Sequence, residues 1–115
     1  MINEIEKTIE RYFPVMWSKK NALFWIGKTR FDIDVEAINR NINLPIRDFI
    51  LRGGKRMRPV LFLTVLKLFD LNYKKYLDLA FFVECVHNGT LVIDDIEDNA
   101  ALRRGKPCLH KIFGI

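Results

Sequence analysis

The spacing of hydrophobic residues along the chain is helical almost throughout. Ile2, Ile5 and Ile9 form one apolar stripe of an opening helix. Pro14 should end or kink that helix, because proline has no N–H to donate and its ring contacts the preceding turn. Strand-like alternation of apolar and polar residues never persists beyond a few positions. The pattern therefore predicts an all-α protein.

Prolines and glycines divide the rest of the chain into further helices. The predicted segments are a helix that starts after Asp32 or Asp34 and includes Val35, Ile38 and Ile42, a piece from Ile46 to Leu51, a helix from Val60 to about Leu71, and a long helix from the turn at Asn72 and Tyr73 to Asp98. Pro45 should interrupt the second helix, and Pro59 suits the first position of a helix. Gly89 lies inside the long helix, which tolerates it at a cost of about 1 kcal/mol relative to alanine. Residues 99–115 should form a loop with a short helical turn.

Residues 15–31 interleave aromatic and basic side chains. They include Trp17, Phe24, Trp25 and Phe31 among Lys19, Lys20, Lys28 and Arg30. The more common role of such a composition is an aromatic packing segment with solvated lysines. A surface that docks on a membrane or a partner is the alternative, and the pattern alone leaves it open.

Composition narrows the class of protein. The chain has 115 residues, of which 50% are hydrophobic and 29% are charged, and this excludes an intrinsically disordered segment. The length allows one domain at most. Lys and Arg outnumber Asp and Glu by 19 to 14, which gives a net charge of +5. A small basic nucleic-acid-binding helical protein is an alternative that rests on this charge. It is disfavoured, and no nucleic acid is expected as a partner, because acids cluster beside the basic loops.

Three features bear on localisation and redox state. The longest apolar stretch, Pro59 to Leu66, is far shorter than the roughly 20 residues that span a bilayer, so no transmembrane segment is expected. The N-terminus carries acids where a secretory signal needs a basic region, which favours the cytoplasm. Cys85 and Cys108 have neither metal-site nor redox-motif spacing, so both are expected to be reduced thiols.

Asp94, Asp95 and Asp98 end the long predicted helix. At about 100° per residue, Asp98 and His87 both lie within about 40° of Asp94 around the axis, so these three residues share one face. Carboxylates held that close repel each other unless a cation lies between them, and Mg²⁺ binds through one or two carboxylates plus phosphate oxygens. Acids near a helix C-terminus are also unfavourable for its dipole. The cluster favours a metal site over the alternative of a solvated helix end.

Two basic loops accompany this acidic face. Arg103 and Arg104 lie in a loop bounded by glycine and proline, and paired guanidinium groups bind phosphate through several donors. Lys55 and Arg58 lie at a helix junction, where backbone N–H groups are also free. Either loop alone could simply be solvated. With the acidic face they predict a site for a metal-bound diphosphate.

Three motifs then occur in the order and spacing of a known family. They are Gly53-Gly-Lys-Arg-Met-Arg-Pro59, Glu84-Cys-Val-His87, and Asp94-Asp-Ile-Glu-Asp98 followed by Arg103-Arg104. Over residues 46–115 the chain resembles the N-terminal part of the trans-type isoprenyl (polyprenyl) diphosphate synthases. The resemblance implies an all-α isoprenoid-synthase bundle. It also implies a prenyltransferase that joins an allylic diphosphate to isopentenyl diphosphate, with Mg²⁺ as cofactor.

The resemblance assigns a role to each motif residue. Asp94 and Asp98 look like direct Mg²⁺ ligands, and Asp95 is similar to the supporting carboxylate between them. Arg103 matches the arginine that holds the allylic diphosphate. Positions that hold the diphosphate of isopentenyl diphosphate are matched by Lys55, Arg58, His87 and Arg104.

The resemblance also implies which residues limit product length. The positions four and five residues before the first aspartate of the motif help to form the floor under the growing chain, and here they are Thr90 and Gly89. Thr90 is small, and the next blocking candidates, Val86 and Phe82, lie one to two helical turns further from Asp94. The expected main product is therefore geranylgeranyl diphosphate or somewhat longer.

The second aspartate-rich motif of the family is absent from the chain. Other acids, such as Asp32 and Asp34, lack the required spacing. Residues 1–115 are therefore expected to be the N-terminal part of one synthase domain. It should be active only with a C-terminal part or partner polypeptide that carries the second motif, in a heteromer or larger oligomer. A noncatalytic regulatory subunit of a full-length synthase is the alternative, which the intact first motif disfavours.

Overall fold

The computed structural model describes all of residues 1–115. The regular elements of the chain are helices and one short hairpin, so the all-α prediction is confirmed. In chain order the elements are α1 (Ile2–Tyr12), α2 (Lys19–Ile26), α3 (Val35–Ile38), a π-helical turn (Asn39–Asn43), α4 (Leu44–Ile50), α5 (Met57–Leu68), a 3₁₀ turn (Tyr73–Tyr76), α6 (Leu77–Glu97), β1 (Leu102–Arg103), β2 (Lys106–Pro107) and α7 (Leu109–Phe113).

The core lies where α1 and α5 pack against α6. It is built from nine buried residues, which are Ile5, Ile9, Phe13, Trp17, Ala22, Ile50, Leu63, Ala80 and Phe81. The ring of Tyr12 stacks on Phe81 with centroids 4.4 Å apart, which joins the end of α1 to α6. Burying each large apolar side chain contributes about 1.5 to 3 kcal/mol. This packing holds α6, the helix that carries His87, Asp94 and Asp95, in place.

The predicted interruption at Pro45 is wrong. Helix α3 continues through the π-helical turn into α4, and the N–H of Leu44 donates to the carbonyl of Asn39. A π-helical turn is wider than an α-helical one, which gives the ring of Pro45 room against the preceding turn. The side chain of Asn39 also accepts from the Trp17 N–H at 2.7 Å and donates to the Trp17 carbonyl at 2.9 Å. Hydrogen bonds from Asn39 therefore connect the helix from 35 to 50 to residues 15–31.

Helix α5 begins earlier than the sequence predicts. It starts at Met57 and ends at Leu68, so Pro59 is its third residue and not its first. Pro59 still lies in the first turn, where a backbone N–H has no partner within the helix, and its ring is therefore tolerated. The preceding residue, Arg56, has a left-handed backbone with φ of 50°, which turns the chain from the Gly53-Gly54 loop into the helix.

The tail contains a hairpin that the sequence pattern did not reveal. Leu102 pairs with Pro107 and Arg103 with Lys106. The two residues between the strands, Arg104 and Gly105, both have positive φ, at 53° and 75°, as a tight hairpin turn requires. This turn fixes the direction of the Arg103 and Arg104 side chains.

Residues Tyr73–Glu97 form one helical run of 25 residues, and its most apolar stretch of 18 residues has a mean hydropathy of 1.2. Length and composition would allow this run to cross a membrane, but the core helix of a soluble protein meets the same two criteria. The expected absence of a transmembrane segment therefore stays a prediction.

Candidate active site

The three aspartates at the end of α6 have different surroundings. Asp95 is 2% exposed and binds Arg103, whose Nη2 lies 2.6 Å from Oδ1 and whose Nε lies 3.1 Å from both carboxylate oxygens. The Arg103 guanidinium lowers the pKa of the Asp95 carboxyl, and Asp95 in turn raises the pKa of Arg103. Asp94 and Asp98 are exposed and form no ion pair. Asp95 therefore positions Arg103, while the outer two carboxylates stay free.

Asp94 and Asp98 suit a hard cation. Residues four apart on a helix have Cβ atoms about 5 to 6 Å apart, so the two carboxylates can reach one ion. No cluster of three His, Cys, Asp or Glu side chains occurs that could hold a metal ion. Two carboxylates would suffice for Mg²⁺, because that ion keeps waters and takes further ligands from substrate phosphates.

A small basic pocket lies beside the start of α5 and the middle of α6. Its volume is about 100 Å³, and it is lined by Gly54, Lys55, Arg56, Met57, Arg58, Glu84, His87 and Arg104. The four residues that the resemblance assigns to isopentenyl diphosphate, from three separate parts of the chain, thus surround one pocket. We call it the cation pocket. His87 precedes Asp94 by seven residues on α6, a rise of about 10 Å, so the pocket and the free carboxylates lie along one helix.

His87 and Arg58 form a direct contact in the cation pocket. Arg58 Nη1 lies 3.0 Å from His87 Nε2. Because arginine only donates, Nε2 is the acceptor and the proton of the neutral ring is on Nδ1. Burial and the positive charge of Arg58 lower the pKa of His87 below its ordinary value. The ring is therefore neutral at pH 7 and orients the arginine.

Arg104 reaches the cation pocket over the backbone of Gly54. Its guanidinium lies 5.2 Å from the centre of the Phe49 ring, and burial lowers its pKa. A Cβ added at Gly54 would lie 3.3 Å from Arg104 Nη2, and the φ of Gly54 is 128°, a value that other residues rarely adopt. Glycine is therefore required at 54, both by its backbone conformation and by the approach of Arg104.

Arg56 is the site residue that the sequence pattern did not single out. It is 2% exposed, and its guanidinium binds Glu84 at 2.8 Å, Glu6 at 2.7 Å and the Ile50 carbonyl at 2.7 Å. Glu84 also accepts from Asn88 at 3.0 Å. Arg56 therefore fixes the loop that presents Lys55 and Arg58 to α6. The sequence held one signal for it, since Glu84 is a lone acid within an apolar stretch of helix and such an acid needs a partner.

Arg52 fixes the hairpin. Its Nη1 donates to the Pro107 carbonyl at 2.8 Å and to the Arg103 carbonyl at 3.3 Å, while its other edge binds Asp48 at 2.6 Å. The turn after α4 thus holds the hairpin that carries Arg103 and Arg104. Sequence spacing alone could not predict this pairing, because more than 50 residues separate its partners.

A second and larger cavity of about 600 Å³ lies along another face of α6. Most of its lining is apolar, and residues 15–31 contribute Trp17 and Trp25 to it. Of the residues expected to limit product length, Gly89 and Phe82 line this cavity, whereas Thr90 and Val86 are exposed on α6 and do not. The roles of these four residues stay predictions.

Comparison with known proteins extends this description of the site. The family model named Polyprenyl synthetase matches residues 39–115, which include every residue of the cation pocket and all three aspartates. A geranylgeranyl pyrophosphate synthase of Geoglobus acetivorans is 44% identical over 69 residues, which cover 60% of this chain and 22% of the relative. A geranylgeranyl diphosphate synthase of Pseudescherichia vulneris is 43% identical over 79 residues, or 64% of this chain and 25% of the relative.

A short chain isoprenyl diphosphate synthase of Methanocaldococcus jannaschii is 39% identical over 103 residues, or 87% of this chain and 30% of the relative. The chain thus spans less than a third of the length of these relatives. No solved structure matches it. Because the family model covers more than half of its residues, the chain belongs to the polyprenyl synthetase family.

Proposed function

We propose that this chain supplies the Mg²⁺- and diphosphate-binding part of an isoprenyl diphosphate synthase. The enzyme condenses an allylic diphosphate with isopentenyl diphosphate, and the proposed product is geranylgeranyl diphosphate or a similar chain. The observation that carries the proposal is the cation pocket. Lys55, Arg58 and Arg104 converge there beside a neutral His87. His87 lies on α6, the helix that ends with the two free carboxylates of Asp94 and Asp98.

The residues of the cation pocket would bind the diphosphate of isopentenyl diphosphate. Lys55 contributes a compact charge, and Arg58 and Arg104 contribute planar sets of donors that suit phosphate oxygens. Neutral His87 orients Arg58 without adding a competing charge. Donors that are already placed stabilise negative charge without reorganising during the reaction.

Asp94, Asp98 and Arg103 would serve the allylic substrate. The two carboxylates would hold Mg²⁺, which when bound neutralises charge on the diphosphate leaving group. Arg103 uses Nε and Nη2 for Asp95, so its Nη1 is free to donate to the same diphosphate. In the reaction the carbon–oxygen bond of the allylic substrate breaks and diphosphate leaves. The double bond of isopentenyl diphosphate then attacks the allylic cation, and loss of a proton gives a product five carbons longer.

The proposal includes a second polypeptide or segment that completes the site with the other aspartate-rich motif. Phe82 is 62% exposed and Val86 is 52% exposed on α6, an apolar surface that such a partner would cover. The cytoplasm stays the proposed compartment, and reduced thiols at Cys85 and Cys108 stay a prediction.

Reconstitution tests this proposal. The chain would be mixed with the part of the M. jannaschii relative that follows its matched segment, and prenyl transfer would be assayed with and without Mg²⁺. We expect activity only in the mixture with Mg²⁺, and none when the chain carries Asp94→Asn and Asp98→Asn. Robust turnover by the chain alone would overturn the need for a partner. A mixture that neither binds inorganic pyrophosphate nor turns over would overturn the proposed function.

A regulatory role predicts a different result. Added to a full-length synthase, a noncatalytic subunit would change the rate whether or not Asp94 and Asp98 were intact. Equal effects of the wild-type chain and the Asp94→Asn, Asp98→Asn chain on that synthase would favour regulation.

A further inference from the structure

Residues 15–31, which we call the basic segment, lie outside the family match and carry most of the net charge. The segment contains four cations, Lys19, Lys20, Lys28 and Arg30, and no Asp or Glu, in a chain whose net charge is +5. Only Lys19 has an ion-pair partner, Asp32 at 3.6 Å, which is itself fully solvated. The positive charge is therefore available to a ligand.

The basic segment has a defined conformation. Trp17 is 3% exposed, its indole N–H donates to the Tyr12 carbonyl at 3.0 Å, and its backbone is bound by Asn39. Ser18 caps α2, with its hydroxyl accepting from the Asn21 N–H and the Asn21 side chain accepting from the Ser18 N–H. The sequence left a packing role and a docking role open, and only part of the segment packs into the core.

Several large apolar side chains of the basic segment face water. They are Val15, Met16, Phe24, Trp25, Ile26 and Phe31. Phe31 is 74% exposed and lines a groove of about 380 Å³ together with Lys19 and Lys28. Aromatic and aliphatic side chains among lysines and arginines, on a short helix and its flanking loops, are typical of surfaces that bind at the membrane–water interface.

We propose that the basic segment docks on the surface of an anionic lipid bilayer. The cations would lie at the phosphate level, while Phe24, Ile26 and Phe31 enter the acyl boundary. Charge complementarity identifies the partner, because the four cations outnumber Asp32, the one acid that lines the groove, and attract anionic headgroups. A second copy of the chain would place like charges against each other. A nucleic acid would leave the aliphatic Val15, Met16 and Ile26 unused, since they cannot stack on bases as aromatic rings do.

The apolar surface of α5 and α6 is of a different kind. Charges of both signs border it, with Asp70 and Asp78 among Lys67, Lys74 and Lys75. These charges nearly cancel, so this surface favours anionic lipid less than the basic segment does. The docking proposal is independent of the proposed catalytic function, because it uses no residue of the cation pocket or the acidic face.

Vesicle flotation of the full chain tests the proposal. We expect the wild-type chain to bind vesicles in which one lipid in three is phosphatidylserine and the rest phosphatidylcholine, and to bind pure phosphatidylcholine weakly. Each Lys or Arg near such a surface strengthens binding about fivefold, so Lys28→Gln with Arg30→Gln should weaken it about 25-fold. Both residues are exposed and unpaired, so the fold should be unaffected. The matched control is Lys67→Gln with Lys75→Gln, two exposed and unpaired lysines elsewhere, which should change binding little.

A second pair of variants tests the apolar contribution. Phe31 and Phe69 are both 74% exposed, and only the former belongs to the basic segment. Phe31→Ser should weaken vesicle binding about tenfold, whereas Phe69→Ser should not. Equal binding to neutral and anionic vesicles, or equal losses in the control variants, would overturn the proposal. Binding to single-stranded DNA without binding to vesicles would overturn it in favour of a nucleic-acid surface.

Discussion

Asparagine substitutions at the three aspartates of α6 should separate stability from ligand binding. Asp95→Asn keeps the shape of the side chain but removes the charge that faces Arg103. Removing one partner of a buried ion pair costs about 3 to 5 kcal/mol. Arg103 is about one-third exposed and can recover some hydration, and asparagine keeps one acceptor oxygen. We therefore expect the free energy of unfolding to fall by about 2 kcal/mol, below the range for a fully buried pair.

Asp94→Asn and Asp98→Asn should behave in the opposite way. Both residues are exposed and unpaired, and both lie at the C-terminal end of α6, where a negative charge is unfavourable. Their loss should leave the free energy of unfolding unchanged or raise it by about 0.3 to 1 kcal/mol. If these carboxylates hold the metal, each variant should lose Mg²⁺-dependent binding of inorganic pyrophosphate.

Two measurements test this separation. Urea unfolding followed by circular dichroism should show a midpoint about 1 M lower for Asp95→Asn. This assumes that the free energy of unfolding falls by about 2 kcal/mol per M urea, which is typical of a small protein. Calorimetric titration with inorganic pyrophosphate and Mg²⁺ should show the loss of binding at positions 94 and 98. Equal loss of stability at all three positions, or binding that survives at both 94 and 98, would refute the reasoning.

The pH dependence of stability checks the same ion pair. The pKa of Asp95 is lower in the folded state than in the unfolded chain, so the unfolded chain binds more protons as the pH falls. The stabilisation is present above the ordinary pKa of the carboxyl and is lost as the pH falls through the folded value. The difference in stability between wild type and Asp95→Asn should therefore shrink below about pH 4. A difference that is constant from pH 7 to pH 3 would contradict this explanation.

Three further predictions concern the cation pocket and the product. Proton NMR should show a pKa of His87 below the ordinary value of about 6.5. Arg58→Gln should raise this pKa, because a positive neighbour is removed. An unchanged pKa would contradict the contact between the two side chains. Gly54→Ala should lower the free energy of unfolding by about 1 to 2 kcal/mol and weaken pyrophosphate binding, since the new methyl group meets Arg104 and the backbone is strained. In the reconstituted enzyme, Thr90→Phe should shorten the product towards farnesyl diphosphate. Chromatography of the dephosphorylated alcohols measures the product length. An unchanged product would show that the growing prenyl chain does not run along this face of α6.

The sequence by itself determined the class of fold and the position of the motifs. Helical spacing predicts α1, whose apolar residues share one face, and the turns that bound two long apolar runs predict α5 and α6. The order and spacing of the three motifs also identified the family, and residues 39–115 match its model. These properties are local in sequence, which is why no tertiary structure was needed to find them.

Tertiary structure decided how the motif residues are used. Asp94, Asp95 and Asp98 are the same residue type on one helix, yet only Asp95 is buried against Arg103. Arg56 looks no different in sequence from its basic neighbours, and its burial against Glu6 and Glu84 depends on partners 50 and 28 residues away. Burial and ion pairing are set by contacts between distant segments, and no local pattern records them.

The helix from 35 to 50 and the basic segment also depend on contacts that no local sequence pattern records. Pro45 is a helix breaker by local rules, but the π-helical turn before it and the bonds from Asn39 to Trp17 keep the helix continuous. Composition alone could not divide the aromatic residues of the basic segment between core and surface. Contacts with the core buried Trp17 and left Phe31 in water, and both outcomes depend on residues distant in sequence.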